Sequence, residues 1–595
     1  MSETTIGSDV LIAARRWIAV DPDSATRARL ETMLANEPDT VERLFTGRIA
    51  FGTAGLRAAL GPGPTRMNRV VVAQTTAGLA RWLQQNLGFG NVVVGFDARH
   101  FSEVFARDAA AELASSGFAA ELLMGPTPTP VLAHAVLERN AIAGIMITAS
   151  HNPPADNGYK LYLADGIQLV APADAEIAAA ISQVATEHAA VASAALDRLE
   201  IDGVEGDERE RRLEPLRSST VIELLGGELD SGSVTQLDYE PQRRHVEAAV
   251  DALLTDHRDV RVLYTAMHGV GGAHLIECFA AAGFLPPEVV PEQFEPDPEF
   301  PTTPFPNPEE PGALDLAYAQ AGVADPPPDI IIANDPDADR LAVAVPDEHG
   351  VWSRLTGDQV GFLFLDHVFR HRSDATAPLV ASSIVSSRFV NRIAEARGAR
   401  SVRTLTGFKW VARPIVEQPD AEYLMGYEEA LGYCIGDRVR DKDGITAALV
   451  IAEIAAGLKD AGKGLRDRLD ELAAEFGLYA TAQVTVSFAG MSEHEQGELK
   501  HRAATMTPDS VGGVAVADVE HLIQGRRLPP TAGVVIDLSD GSRVVVRPSG
   551  TEPKMKAYLE VVEDTSGGVP EARGRASERL ERLADEVREL LTGSA

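Results

Sequence analysis

Short apolar runs alternate with amphipathic, alanine-rich stretches along most of this chain. NVVVGFD (91–97) and AIAGIMITA (141–149) read as buried strands. VVAQTTAGLARWLQQ (71–85) and EVFARDAAAELASSG (103–117) read as helices, the second closed by Gly117. Near-continuous apolar strands between amphipathic helices predict an α/β layered domain with a mostly parallel sheet. The alternation recurs twice. VRVLYTA (260–266) leads into a Gly-rich turn and helix and then the strand DIIIAND (329–335). APLVASSIV (377–385), a helix and YLMGYEE (423–429) form the third set.

The ends differ from this middle. Residues 1–50 are predicted helical, with Asp23-Ser24 preceding an amphipathic run from Ala25 to Asn36 and Asp39 or Thr40 as the cap of a further short helix. Residues 187–240 turn alanine-rich, then charged, then Gly/Ser-rich, and residues 296–312 carry seven prolines; both read as linkers. The last passage has alternating strands at 481–488 and 542–547, a strand at 555–561 and a charged helix near 571–592. The expected fold class is therefore α/β: three similar α/β layered domains with mixed sheets plus a smaller C-terminal α+β domain. The expected boundaries are a helical extension (1–50), a first domain (51–200), a linker or insertion (201–240), a second domain (241–345), a third (346–475) and a fourth (476–595). The last domain is expected to rotate on a linker near 470–482.

Composition narrows the chemistry. With 595 residues, 45% apolar and 24% charged, the chain is an ordinary globular mixture. Its 54 basic against 88 acidic residues give a net charge of −34, which repels nucleic acid and anionic lipid, so any anion site must be built locally. Two cysteines, Cys278 and Cys434, are too few for a disulfide framework and predict an intracellular, cytoplasmic protein. No apolar stretch approaches the ~20 residues that cross a bilayer.

Four constellations carry chemistry. TASHNPPADNGYK (148–160) follows a buried strand and sets Ser150 beside His151, with Lys160 ten residues on: a hydroxyl near two proton-transfer groups. The same residues could form a plain Asn-Pro turn. No G-x-S-x-G elbow is present, which disfavours an acyl-transfer hydrolase. In IIIANDPDADR (330–340), Asp335, Asp337 and Asp339 alternate at a strand end, crowding that a hard divalent cation makes favourable. An EF-hand fails, because its sixth and twelfth positions are Arg340 and Pro346. An aspartyl phosphotransferase using Asp335 stays a rival, although Asp339 stands where that motif expects Thr or Val. RPSGTEPKMK (547–556) offers Arg547, Ser549, Gly550 and Thr551 to one anion. In MGYEEALGY (425–433), followed by DKDG (441–444), two adjacent glutamates could bind sugar hydroxyls or equally be solvated, and TLTGFKW (404–410) supplies a Gly turn and Lys409 for a phosphate or sugar.

In this order the motifs resemble those of the α-D-phosphohexomutase superfamily, the phosphoglucomutases and phosphomannomutases. FGTAGLR (51–57) is similar to its opening F-G-T-[SA]-G-x-R, TASHNP to its phosphoserine loop, DPDADR to its magnesium loop, GYEEALG to its sugar-binding loop and RPSGTEP to its phosphate-binding loop. The resemblance spans about residues 50–560 and implies four domains around a central cleft. It implies phosphorylation of Ser150, acid/base work by His151 and Lys160, and Mg²⁺ held by Asp335, Asp337, Asp339 and the phosphoserine, with Arg57 and Arg340 close to that phosphate. Thr406, Gly407, Lys409, Glu428, Arg547, Ser549, Gly550 and Thr551 would meet the substrate. The family's G-E-x-S-G serine is Ala430 here, as in the branch with bacterial phosphoglucomutases and animal phosphopentomutase-like enzymes. The implied reaction is phosphoryl transfer between the 1- and 6-positions of glucose or mannose phosphate, with sugar 1,6-bisphosphate as intermediate and activator. A phosphopentomutase, a sugar-bisphosphate synthase and a non-catalytic sugar-phosphate sensor are the alternatives. Expected partners are small-molecule sugar phosphates, with neither nucleic acid nor membrane, in a monomer or homodimer.

Overall fold

The computed structural model describes residues 6–52, 55–226, 232–549 and 554–593. The chain divides into two compact units. One comprises Met1–Leu253, Val260–Trp352 and Cys434–Val450, the other Leu254–Asp259, Ser353–Tyr433 and Ile451–Ala595.

The first unit holds two mixed sheets. In one, the strand order is Leu56–Ala59, Asp156–Leu163, Ala143–Ile147, Asn91–Phe96, Ala119–Leu122, Ser233–Gln236. The first two junctions are antiparallel and the rest parallel. Helices cover its faces, so strands such as Asn91–Phe96 are apolar throughout rather than alternating. In the other sheet, Leu341–Pro346 lies antiparallel to Ile330–Asn334, which runs parallel to Val262–Thr265, itself parallel to Glu288–Val289.

Three helices, Ser8–Val20, Ser24–Asn36 and Pro38–Phe45, open the described chain. Asp23 caps the second, accepting from the amides of Ala25 and Thr26. The cap expected at Asp39 or Thr40 is corrected: the third helix begins at Pro38 with no side-chain cap. Proline's fixed φ suits that first helical position. Trp17, Leu30, Met33, Val41 and Leu44 tie these helices into the core of the first sheet.

The linker expected over 187–240 is corrected as well. Helix Ala173–Ile201 runs through the alanine-rich stretch with Ile177, Ile181, Val184, His188, Ala192 and Leu199 buried along one side. The charged stretch forms helix Gly206–Ser218, and Ser233–Gln236 adds a strand to the first sheet. The proline-rich segment 296–312 contains neither helix nor strand.

The second unit contains a parallel set, Arg400–Thr404, Pro378–Ser383 and Glu422–Glu428. It also contains an antiparallel sheet ordered Leu478–Ser487, Lys554–Glu563, Arg543–Pro548, Val534–Leu538, Val514–His521, Ser510–Val511. Helix Val569–Thr592 covers it through Ala576, Leu583, Val587 and Leu591. Near 470–482, helix Leu465–Phe476 passes through Gly477 directly into strand Leu478–Ser487. The two sheets of this unit are pinned by buried charge. Arg388 donates through Nε to Glu560 Oε1 at 2.7 Å, and Arg543 donates to the carbonyls of Ile384 (3.1 Å) and Ser386 (2.9 Å).

Candidate active site

Sheet register gathers the first set of residues. Strand Ala143–Ile147 leads into the loop that carries Ser150. The chain returns as Asp156–Leu163, pairing Lys160 with Met146, and the edge strand pairs Arg57 with Gly158. Lys160 and Arg57 are thereby brought back beside the loop that leaves the strand's carboxyl end, where open α/β sheets place their ligands. Gly158 is required there, since a Cβ would lie 2.6 Å from the Thr148 carbonyl oxygen and 2.7 Å from that of Leu56. Ser150 itself has φ of +51°, a left-handed conformation costing a non-glycine residue roughly 1–2 kcal/mol. Strain of that kind concentrates at functional sites.

An arginine clamp holds this loop. Nη2 of Arg99 donates to the carbonyls of Ser150 (2.6 Å) and Asn152 (2.5 Å), and Nη1 to those of Pro153 (2.9 Å) and Asp156 (3.2 Å). Arg99 is buried against Asp97, Nε to Oδ2 3.5 Å. The reading of the sequence passed over Arg99; its position just after a buried strand was the available signal.

The aspartate loop turns between Ile330–Asn334 and Leu341–Pro346. Asp335 Oδ1 accepts from the Arg340 amide at 3.0 Å, and Asp335 Oδ2 accepts from Ser150 Oγ at 2.9 Å. His151 Nδ1 is 3.1 Å from the same Oγ. Lys160 Nζ donates to Asp337 Oδ2 (2.7 Å) and Asp339 Oδ2 (2.8 Å). Two further residues meet the cluster: Thr129 Oγ1 donates to Asp337 Oδ2 at 2.5 Å, and Lys442 Nζ donates to Asp339 Oδ2. Arg340 reaches toward Glu309, 3.6 Å away, and Arg57 donates to Asn152 Oδ1 at 3.1 Å.

Burial dominates the electrostatics. It raises the Asp335 carboxyl well above the ordinary range, with Asp339 and Asp337 adding repulsion. Burial opposes ionisation of Asp337 and Asp339 too, but Lys160 and Lys442 outweigh it and hold both low. Lys160 is correspondingly held protonated by the two carboxylates despite its burial. His151 is driven well down, first by burial and then by Arg340 and Arg57, so its ring is neutral.

Carboxylate oxygens of Asp335, Asp337 and Asp339 lie within 4.8 Å of one another, all buried. Among the described residues, Oδ1 of Asp337 and Oδ1 of Asp339 have no hydrogen-bond partner. Unpaired buried carboxylate oxygens are costly, and an all-oxygen set suits a hard divalent cation. The group could hold a metal.

The other predicted contacts belong to the second unit. Glu428 Oε1 accepts from the Gly407 amide at 2.6 Å, joining the TLTGFKW and GYEEALGY loops. Gly407 has φ of +105° and precedes the short helix Phe408–Ala412 that carries Lys409; Thr406 immediately precedes it. Arg547 pairs with Lys556, and the Ser549 amide donates to the Lys554 carbonyl at 2.9 Å, closing the hairpin. Gly550 and Thr551 lie outside the described residues.

Comparison with known proteins agrees with this arrangement. Four domain families match in order, described as phosphoglucomutase/phosphomannomutase alpha/beta/alpha domain I (48–188), domain II (243–350), domain III (356–476) and C-terminal domain (501–567). A Haemophilus influenzae protein named "Probable phosphomannomutase" is 40% identical over 502 residues, covering 83% of this chain and 93% of that protein. The Homo sapiens phosphopentomutase is 32% identical over 602 residues, covering 93% of this chain and 92% of that one. The open form of the Paramecium phosphoprotein parafusin, a phosphoglucomutase, shares the fold with a TM-score of 0.65 at 18% identity, over 92% of this chain and 96% of that one. Helices Ser8–Val20, Ser24–Asn36 and Pro38–Phe45 precede the first matched domain, and helix Gly206–Ser218 falls between the first and second. The chain belongs to the phosphoglucomutase/phosphomannomutase family within the α-D-phosphohexomutase superfamily, and is a mutase of the isomerase class.

Proposed function

We propose that this mutase moves a phosphoryl group between the 1- and 6-positions of a hexose phosphate, glucose or mannose, through phosphoserine 150 and a sugar 1,6-bisphosphate. The observation that carries the reading is Ser150 Oγ, buried and strained, 2.9 Å from one of three clustered aspartates. Asp335, Asp337 and Asp339 would hold Mg²⁺, together with the phosphate on Ser150. Bound there, the ion supplies neutralising charge for the phosphoryl oxygens.

The chain's own groups do the rest. Transfer breaks the bond from phosphorus to Ser150 Oγ and forms one from phosphorus to the free sugar hydroxyl. The proton of that hydroxyl passes to the neutral ring of His151, and the Ser150 oxygen leaves, taking a proton from the Lys160 ammonium. Phosphoryl transfer depends mainly on position and charge, so holding Oγ in line is the main task of the loop. Arg57 and Arg340 balance charge on the phosphoserine. Arg547, Ser549, Gly550 and Thr551 receive the phosphate that is not reacting. Thr406, Gly407, Lys409 and Glu428 meet the sugar. The bisphosphate then turns round and returns its other phosphoryl group to Ser150.

A pentose substrate is the second reading. The human phosphopentomutase matching across 93% of this chain favours it. A panel of hexose and pentose 1-phosphates, assayed with Mg²⁺ and catalytic bisphosphate, separates the two readings. Binding without turnover of any of them would indicate a sensor, and accumulation of bisphosphate a synthase. Ser150→Ala is expected to lower kcat at least about 10³-fold. Phosphopeptide mapping of the wild type should find label at Ser150 that survives acid; near-normal turnover by the variant refutes the nucleophile.

A further inference from the structure

A second buried cluster lies in the first unit, apart from the aspartates. Helix Gly271–Ala281 carries His274 and Cys278 four residues apart, on one face. Helix Glu240–Asp251 brings His245 against them. His245 Nδ1 is 2.9 Å from His274 Nε2, and one nitrogen from each ring and Cys278 Sγ lie within 4.8 Å of one another.

The surroundings have the features of a ligand set. His245 Nε2 donates to Asp443 Oδ2 at 3.0 Å, which leaves the Nδ1 lone pair facing His274. A carboxylate behind an imidazole is the arrangement that orients and strengthens a metal-binding histidine. Nδ1 of His274 is buried and has no hydrogen-bond partner among the described residues, so that nitrogen can take the ring proton and leave Nε2 as a donor. His134 stands edge-on to His245, ring centroids 5.9 Å apart.

We propose that His245, His274 and Cys278 form a binding site for a borderline-soft divalent cation of the Zn²⁺ class. Nitrogen and sulfur donors select such ions over Mg²⁺, which prefers oxygen. On binding, the Cys278 S–H bond breaks, a sulfur–metal bond forms and one proton leaves to solvent; the imidazoles bind neutral. The dication, the thiolate and Asp443 then sum to zero charge, which a buried site requires. The ion would tie two helices to the loop whose Lys442 meets Asp339.

Co²⁺ is the probe, since the full chain can be produced in cobalt-containing medium. With excess Mg²⁺ present to fill the aspartate cluster, one Co²⁺ per chain with a thiolate-to-cobalt charge-transfer band is expected, lost in Cys278→Ser and retained in Cys434→Ser. The aspartates contain no sulfur and cannot give that band. X-ray absorption on the wild-type protein should count one sulfur and two nitrogens, a readout independent of how the variants fold. No charge-transfer band, a band that persists in Cys278→Ser, or an all-oxygen shell would overturn the site.

Discussion

Gly444→Ala is a small change with a calculable consequence. A Cβ at Gly444 would lie 2.3 Å from the Arg340 carbonyl oxygen and 2.7 Å from both its carbon and Asn334 Nδ2. Those two groups share the hydrogen bond, 2.6 Å long, that closes the aspartate loop. An ordinary carbon contact needs about 3.5 Å, so the loops must part by roughly 1 Å. Lys442, two residues before Gly444, would then be drawn from Asp339, and the Asn334–Arg340 bond would be split. Overpacking of this kind costs about 1–3 kcal/mol, and a 1 Å misplacement near the chemistry can cost about 10²-fold in rate. Thermal unfolding and kcat on the best sugar phosphate, at saturating Mg²⁺, measure the two effects. Gly322→Ala is the control: it lies in helix Asp315–Val323 with no heavy atom within 4 Å of the added carbon, and should be neutral or slightly stabilising. A Gly444→Ala enzyme with wild-type Tm and kcat within a factor of two would refute the account of how these loops are packed.

Three further outcomes are expected. Arg99→Met removes four bonds to loop carbonyls and leaves Asp97 buried without its cation, so unfolding in urea should show a loss of about 3–5 kcal/mol; kcat should fall through misplacement of Ser150. Glu112 is buried and pushed up to about 8 by desolvation while accepting from the amides of Val221 and Ile222. Its raised pKa gives stability that is full below about 4.5, its ordinary value, and is lost as pH rises through about 8. Glu112→Gln should therefore hold its stability better than wild type between pH 5 and 9, and parallel denaturation curves across that range would count against the assignment. Arg547→Ala should raise KM several-fold with a smaller change in kcat, as steady-state kinetics would show.

Local signals made much of this protein legible from sequence. Ser150 and the aspartates follow apolar strands, and strand ends are where α/β sheets present their loops, so both were visible without coordinates. Lys442 and Thr129 were not assigned, because what brings them to the aspartates is chain folding across 103 and 208 residues. DKDG was noticed only as a charged loop. The helix across 187–201 was misread because alanines supply little contrast between its two sides, and only Ile177, Ile181 and Val184, earlier in the same helix, mark the buried stripe. The short helix from Pro38 was displaced by trusting cap residues over proline's own preference for a first turn.

The geometry also weighs against the rival nucleophile within the same cluster. An aspartyl phosphotransferase would need an open carboxylate oxygen on Asp335. Oδ1 already accepts from the Arg340 amide and Oδ2 from Ser150 Oγ, and the group is fully buried. Ser150, by contrast, is bound through its backbone by Arg99 and through its hydroxyl by Asp335 and His151, with φ held at +51°. The loop thus fixes the Ser150 hydroxyl oxygen, while the carboxylates beside it are fixed by lysines and amides. Among the described residues, Asp337 and Asp339 each keep one oxygen without a hydrogen-bond partner beside those lysine contacts. That division of labour, one held hydroxyl against three tethered carboxylates, favours the proposed serine carrier over an aspartyl nucleophile at Asp335, both of whose oxygens already accept hydrogen bonds.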